Sequence, residues 1–164
     1  NKLGDDVIML GMAKGLGSAC AFEVNGTCYT APFTPEKPLT RAECEAQKDD
    51  LGIKACYYDN DYWAAAVKQC GGVSKMPTMA QLAELASQMY VGNPSIGAKQ
   101  NVYKLTFDTN SSTAKSLGLT PSFYLWSGEE SSSSHAYYRG FLTTYSGWHH
   151  DYRSYSYHAI CLGE

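Results

Sequence analysis

Six cysteines, Cys20, Cys28, Cys44, Cys56, Cys70 and Cys161, constrain this chain more than any other feature. Their count is even and none form a C-x-x-C pair, which argues against a zinc ribbon or a thioredoxin-type redox site. Dispersed through one domain, they read as three disulfides made in an oxidising compartment, and so as an extracellular or cell-surface protein. Spacing alone does not choose among the connectivities open to them. A chain of 164 residues suits one domain with its own core. Its net charge of −3 leaves no basic footprint for nucleic acid. The longest apolar stretch, Val7 to Leu16, is interrupted by Gly11, Lys14 and Gly15 and falls short of the roughly 18–20 residues of a membrane span. The chain begins at Asn1 and is expected to be a mature or trimmed form, compatible with a signal peptide or membrane helix ahead of it.

Residues 1–19 are expected to be the end of a helix and a Gly-rich joint. Ala21 to Tyr29 reads as a β-hairpin turning at Asn25-Gly26. A two-residue turn there sets Cys28 opposite Glu23. Thr40-Arg41-Ala42-Glu43 has capping-box spacing and opens a helix that stops near Gly52. A second helix carries Trp63 to Cys70 and ends at Gly71-Gly72. Thr78-Met79-Ala80-Gln81 opens a third, with Leu82, Leu85, Ala86 and Met89 on one face. Beyond residue 100 the pattern changes. Val102, Leu105 and Phe107, then Phe123, Leu125 and Trp126, read as strands, and the stretch to Cys161 as short antiparallel strands and loops. The fold class is therefore α+β, with helices segregated from an antiparallel sheet.

Four segments in this order resemble the C-type lectin fold. Phe22 to Tyr29 is similar to its opening hairpin, and Trp63-x-x-Ala66-x-x-x-Cys70 to its first helix. Gly72-x-x-x-Met76-Pro77-Thr78-x-x-x-Leu82 resembles the lead into its second helix, and Tyr157-His158-Ala159-Ile160-Cys161 its last strand. The resemblance covers residues 20–164, which are taken as one C-type lectin-like domain. It implies a Cys70–Cys161 disulfide, and also Cys20–Cys28, leaving Cys44–Cys56. The hairpin register conflicts with a Cys20–Cys28 bridge unless a bulge or wider loop intervenes. Leu125 to Phe141 resembles a bacterial and phage branch of the fold that includes the variable proteins of diversity-generating retroelements. In those proteins a reverse transcriptase mutates adenines in a C-terminal cassette, and the altered side chains make a binding face.

Randomising the first two bases of AAC or AAT codons cannot yield Lys, Gln, Glu, Met or Trp. These first four types make up 27 of residues 1–130 but none of the 28 residues from Ser131 to His158. Trp148 is out of reach of that route and is expected to be fixed. The same stretch, taken as the variable region 131–158, holds six tyrosines, seven serines and all four histidines. Tyr gives broad contact area with few rotors to freeze and Ser gives adaptable hydrogen bonding, which is how antibody paratopes are composed.

The candidate ligand-binding residues are Ser132, Ser134, His135, Tyr137, Arg139, Tyr145, Trp148, His149, His150, Asp151, Tyr152, Ser154 and Tyr155. Ala136, Tyr138 and Phe141 match scaffold positions of the resembled branch. Trp148 to Tyr152 is expected to be an exposed loop before the last strand. In that strand Tyr155, Tyr157, Ala159 and Cys161 share one face, with Tyr157 in the scaffold. Adjacent histidines on a strand diverge, so His149 and His150 are not expected to share a metal. No metal or cofactor is expected. A calcium-dependent sugar site needs an Glu-Pro-Asn-like loop and a Trp-Asn-Asp-like strand, and neither occurs. The expected function is a surface-displayed adhesion or receptor-recognition protein with a diversified C-terminal face, not an enzyme. A protein ligand is the first expectation and a glycan the second. One alternative is a structural pilin-like or assembly subunit with a fixed head, attached to a pilus or other fibre through residues 1–19. Another is a relative of the formylglycine-generating enzymes, which depend on a reactive cysteine pair near the C-terminus. Here that half holds only Cys161. Glu129-Glu130 is the remaining carboxylate pair, and Glu130 matches a scaffold position.

Overall fold

The sequence places helix starts where a side chain can satisfy an orphan backbone N–H, and a computed structural model, which describes residues 20–163, has them there. Helix α1 (Arg41–Leu51) and helix α3 (Met79–Ser87) open on reciprocal capping boxes, Thr40 with Glu43 and Thr78 with Gln81. Between them, α2 (Tyr62–Cys70) is capped by the Asp61 carboxylate, which accepts from Ala64 N. Gly52 and Gly71 end α1 and α2 in the left-handed conformation, where a side chain is disfavoured. A short α4 (Ser112–Leu117) follows a long irregular segment. Strands β1 (Phe22–Val24) and β2 (Thr27–Tyr29) form the hairpin, and β3 (Phe123–Glu130), β4 (His135–Phe141) and β5 (Ser146–Tyr152) form an antiparallel sheet in that order. The chain is thus α+β with antiparallel sheets. Among the described residues no helix is long and apolar enough to cross a membrane. The tether expected over residues 1–19 lies outside the described residues.

The three-stranded sheet divides the core in two. Trp126, Ala136 and Tyr138 face the side packed by α1 and α2, including Trp63 and Val67, and by Met76 beyond α2. Phe123, Leu125 and Phe141 face the other side, packed by α3, α4 and the hairpin. Alternation along the strands produces this split, since neighbouring residues leave opposite faces of the sheet. Phe123 and Phe141 pair across β3 and β4 and stack at 4.8 Å. The register shifts between Trp126 and Glu130. Within that irregularity the Ser127 hydroxyl donates to Tyr137 O, and Ser127 O accepts from the buried Trp63 indole. Glu129 and Glu130 engage different partners: Glu129 accepts from Met79 N at the start of α3, Glu130 from Lys54 N, Ala55 N and Arg153.

Three disulfides link Cys20–Cys28, Cys44–Cys56 and Cys70–Cys161, an arrangement suited to an oxidising compartment. The hairpin keeps its tight turn, with Glu23 opposite Cys28, and no bulge. The expectation that a Cys20–Cys28 bridge needs a bulge or wider loop is corrected. Cys20 lies ahead of β1, off the ladder, and its Cα sits 5.6 Å from that of Cys28.

Three strand expectations change. Residues 102–107 make isolated bridges instead of a strand, because Lys104 adopts a left-handed φ of 59°. The amides of Val102, Leu105 and Phe107 still donate to Ser146, Thr144 and Thr143 carbonyls. Residues 148–152, expected as a loop, belong to β5. The last strand is a thread whose residues change partners in succession, with Trp126 N on His158 O, Ala159 N on Phe33 O and Leu162 N on Lys75 O. Its facing alternates as expected at the end, Ala159 and Cys161 in one half-core and Ile160 in the other.

Candidate functional site

Cross-strand pairing assembles the site. His135 lies opposite Tyr152, Tyr137 opposite His150, and Arg139 opposite Trp148. Directly opposed residues project from the same face, so these six share one side of the β4–β5 ribbon. Along β4 that side runs from partly exposed His135 and Tyr137 down to buried Arg139 and Phe141. Its open end is a continuous aromatic row. His135 packs on Tyr152 at 4.3 Å and on His150 at 5.1 Å. Tyr137 stacks on His150 at 5.7 Å and on Trp148 at 5.8 Å. Hydroxyls fix the imidazoles: Ser131 Oγ is 2.7 Å from His150 Nδ1, and Ser134 Oγ is 2.7 Å from His135 Nδ1. Ser132 Oγ accepts from His135 N and Ser134 N, which closes the β3–β4 loop. At the edge of the row, Trp148 N donates to the Asn101 side chain. Tyr137, Trp148, His149 and His150 line a hollow of about 220 Å³.

The other candidates lie elsewhere. Tyr145 and Asp151 turn to the opposite face, as does the ring of His149, which packs on Tyr138 although the residue borders the hollow. Tyr145 Oη is 2.7 Å from His149 Nε2, and the Tyr157 hydroxyl donates to Asp151 at 3.0 Å. Tyr157 itself packs on Trp126 and Tyr138, in the scaffold as expected. Ser154 and Tyr155 sit in the turn after β5, where Tyr155 N donates to Tyr152 O. Tyr155 is exposed and meets Tyr152 edge-on. Ala136, Tyr138 and Phe141 are buried.

Arg139 is the correction. It is fully buried, so it presents nothing to a ligand. Its guanidinium donates to Ser146 Oγ and to the carbonyls of Gly97, Ala98 and Gln100 at 3.0–3.3 Å, pinning the 97–100 loop over the sheet. Burial lowers it to about 10, so it remains charged at neutral pH. The signal was available: Arg139 shares its face with the core residue Phe141, two positions on. Burial and the nearby Arg139 charge lower His149, and burial lowers His158. Burial and the Asp151 charge push the Tyr138 phenol up to about 12.

Sequence reasoning missed Ser131 and Asn101, whose roles depend on contacts with β5. It also missed a groove beside the row, lined by Arg41, Lys48, Lys54, Tyr57, Tyr58 and Tyr152 among others. Its parts lie far apart in the chain, and only the Tyr57-Tyr58 pair in a non-periodic loop hints at it. Among the described residues no group of three or more His, Cys, Asp or Glu side chains is placed to hold a metal ion. No family model, curated protein or solved structure matches the chain.

Proposed function

We propose that this chain is a C-type lectin-like recognition domain of a bacterial or phage surface protein. It binds a protein ligand non-covalently through the row His135, Tyr137, Trp148, His150 and Tyr152. The observation that carries the reading is that row: aromatic and imidazole rings held ring to ring on a sheet, with their outer sides open. Rigid rings on a braced scaffold lose little freedom on binding, and Tyr and Trp supply much of the energy at protein interfaces. A binding role is supported by the same composition, which supplies contact area and hydrogen bonds. Retroelement diversification is supported by the missing Lys, Gln, Glu and Met over residues 131–158.

The test is the DNA sequence of the gene and its flanks. The expected result is a second, adenine-richer copy of the codons for 131–158 beside a reverse transcriptase. Codon differences should fall at His135, Tyr137, His150 and Tyr152 and spare Trp148, Arg139 and Arg153. A gene without that copy removes diversification and leaves a face for one fixed ligand. Tyr152→Ala and His150→Ala should shift the melting temperature by no more than about 2 °C, as exposed substitutions do in a domain this size. A fall of about 10 °C in both would make them structural and displace the face.

A further inference from the structure

A second concave surface lies against the aromatic row and shares only Tyr152 with it. It is a groove of about 640 Å³ between α1, residues 54–58 and the Ser133–Ser134 loop. Arg41, Glu45 and Lys48 lie at i, i+4 and i+7 on α1 and so form one stripe along its wall. Lys54 adds a third cation from the facing loop. Lys48 has Glu45 as a neighbour at 3.7 Å. Among the described residues the Arg41 guanidinium and the Lys54 ammonium have no carboxylate within salt-bridge distance, although Asp59 accepts from Arg41 N and Glu130 from Lys54 N. The groove is therefore locally cationic on a chain whose net charge is −3. Tyr58 and Tyr152, 66% and 47% exposed, stand in its walls, Tyr58 against Tyr57 at 4.8 Å and Tyr152 against His135 at 4.3 Å.

Both walls are braced. The Cys44–Cys56 disulfide ties the loop to α1. The Glu130 carboxylate accepts from Lys54 N at 2.6 Å and Ala55 N at 3.3 Å. Arg153, paired with Glu130, donates to the carbonyls of Ser132 and Ser133 in the opposite wall. One buried ion pair thus fixes the backbone of both sides, which lowers the ordering cost of binding to that of the side chains.

We propose that this groove binds a carboxylated saccharide, with Arg41, Lys48 and Lys54 receiving carboxylate and Tyr57, Tyr58 and Tyr152 receiving the C–H faces of the sugar rings. Arg and Lys bind carboxylates through charge-assisted hydrogen bonds. Open phenol faces carry negative potential that attracts polarised C–H groups. Ser133, Ser134 and Glu45 supply donors and acceptors for hydroxyls. A densely charged polyanion fits less well, since Glu45 interrupts the cations and the chain is acidic as a whole. An acidic peptide is the competing occupant, because Tyr and Arg also anchor peptides, and the octaglutamate arm of the test below decides against it or for it.

The experiment titrates the folded chain with trigalacturonate and 3′-sialyllactose, each against its neutral counterpart, trigalacturonate trimethyl ester and lactose. Binding is read by ligand-observed NMR and calorimetry. At least one acid should bind with a Kd on the order of 1 mM or tighter, and at least about tenfold tighter than its neutral counterpart. Lys48→Glu with Lys54→Glu should weaken it at least about tenfold with the melting temperature unchanged, because neither side chain is buried. Tyr137→Ala, on the aromatic row and outside the groove, should leave it unaltered, which separates this site from the face proposed above. The proposal is overturned if neither acid binds at about 10 mM, or if acid and neutral sugars bind alike. It also falls if the double charge reversal keeps the affinity, or if an octaglutamate peptide binds as tightly as the better acid sugar.

Discussion

At the scale of single residues, Arg153 does most to hold the site together. Its guanidinium is fully buried, lies 4.5 Å over the Trp63 ring, and pairs with Asp61 at 2.8 Å and Glu130 at 3.1 Å. Asp61 caps α2 and Glu130 holds the 54–55 backbone, so one cation connects a helix start, a loop and the Ser-rich turn. Removing one partner of such a network leaves uncompensated buried charge. Arg153→Leu should cost roughly 3–5 kcal/mol, read by chemical denaturation. Arg153→Lys should recover only part of that, because an ammonium cannot reach both carboxylates with a fork. A loss below about 1 kcal/mol for Leu would mean that water already screens the pair.

Imidazoles give a second prediction at this scale. His149 and His158 titrate below the ordinary value of 6.5, the first through burial and the Arg139 charge, the second through burial. A group whose folded pKa is depressed in this way binds more protons when unfolded. Stability therefore rises with pH between the folded value and 6.5, and is lost as pH falls through that window. The melting temperature should fall between pH 7 and pH 5.5, and His149→Asn with His158→Asn should flatten that fall. Ring-proton NMR titration checks it directly: midpoints at or above 6.5 would contradict the burial seen here.

At the scale of elements, β3 depends on Gly128. A Cβ there would meet Val73 O at 2.5 Å and Met76 Cβ at 3.0 Å. The first obstacle is backbone and cannot swing aside. Gly128→Ala should therefore cost about 1–3 kcal/mol, with the loss visible in the denaturation midpoint. A neutral result would mean that the 3₁₀ turn Val73–Lys75 moves freely against the sheet.

The elements also mark how far the sequence could be read. Helix ends were legible because caps are local: Thr40, Thr78 and Gly71 act on backbone within a few residues. The Asn25-Gly26 turn and its register were legible for the same reason. Residues 102–107 were not, since their apolar spacing suits a strand while a left-handed Lys104 breaks it. Trp148 to Tyr152 read as loop because His, Asp and Tyr in succession show no burial period; their ladder partner is β4, which lies outside that window. In the candidate site, the ring-bearing residues could be named from composition, but their division between two faces required the register. Arg139 was misassigned because a charged residue defaults to solvent, which outweighed the face it shares with Phe141; its carbonyl acceptors, about 40 residues earlier, could not be read from the local sequence.

At the scale of the whole molecule, the sheet separates two half-cores, and the C-terminal thread joins them. Cys70–Cys161 anchors that thread to α2 across 91 residues, while Cys20–Cys28 and Cys44–Cys56 span 8 and 12. Loop-closure entropy gives the long bridge about 4–5 kcal/mol and each short one about 2–3. Position adds to the difference. Cys161 is fully buried beside Trp126 and Ala159, whereas Cys20 is exposed at the edge of the hairpin. Replacing Cys70 and Cys161 by Ala should lower the melting temperature by about 10–20 °C, and replacing Cys20 and Cys28 by less than half of that. Calorimetry of the two variants decides the matter. Equal losses would mean that the thread is held by its backbone bonds to β3, Phe33 and Lys75, and that the long disulfide only records a geometry already fixed by packing. The expected order would instead make the bridge the main brace of the scaffold beneath a surface rich in Tyr, Ser and His. Its fixed end, Cys161, sits three residues past the last position of the 131–158 stretch.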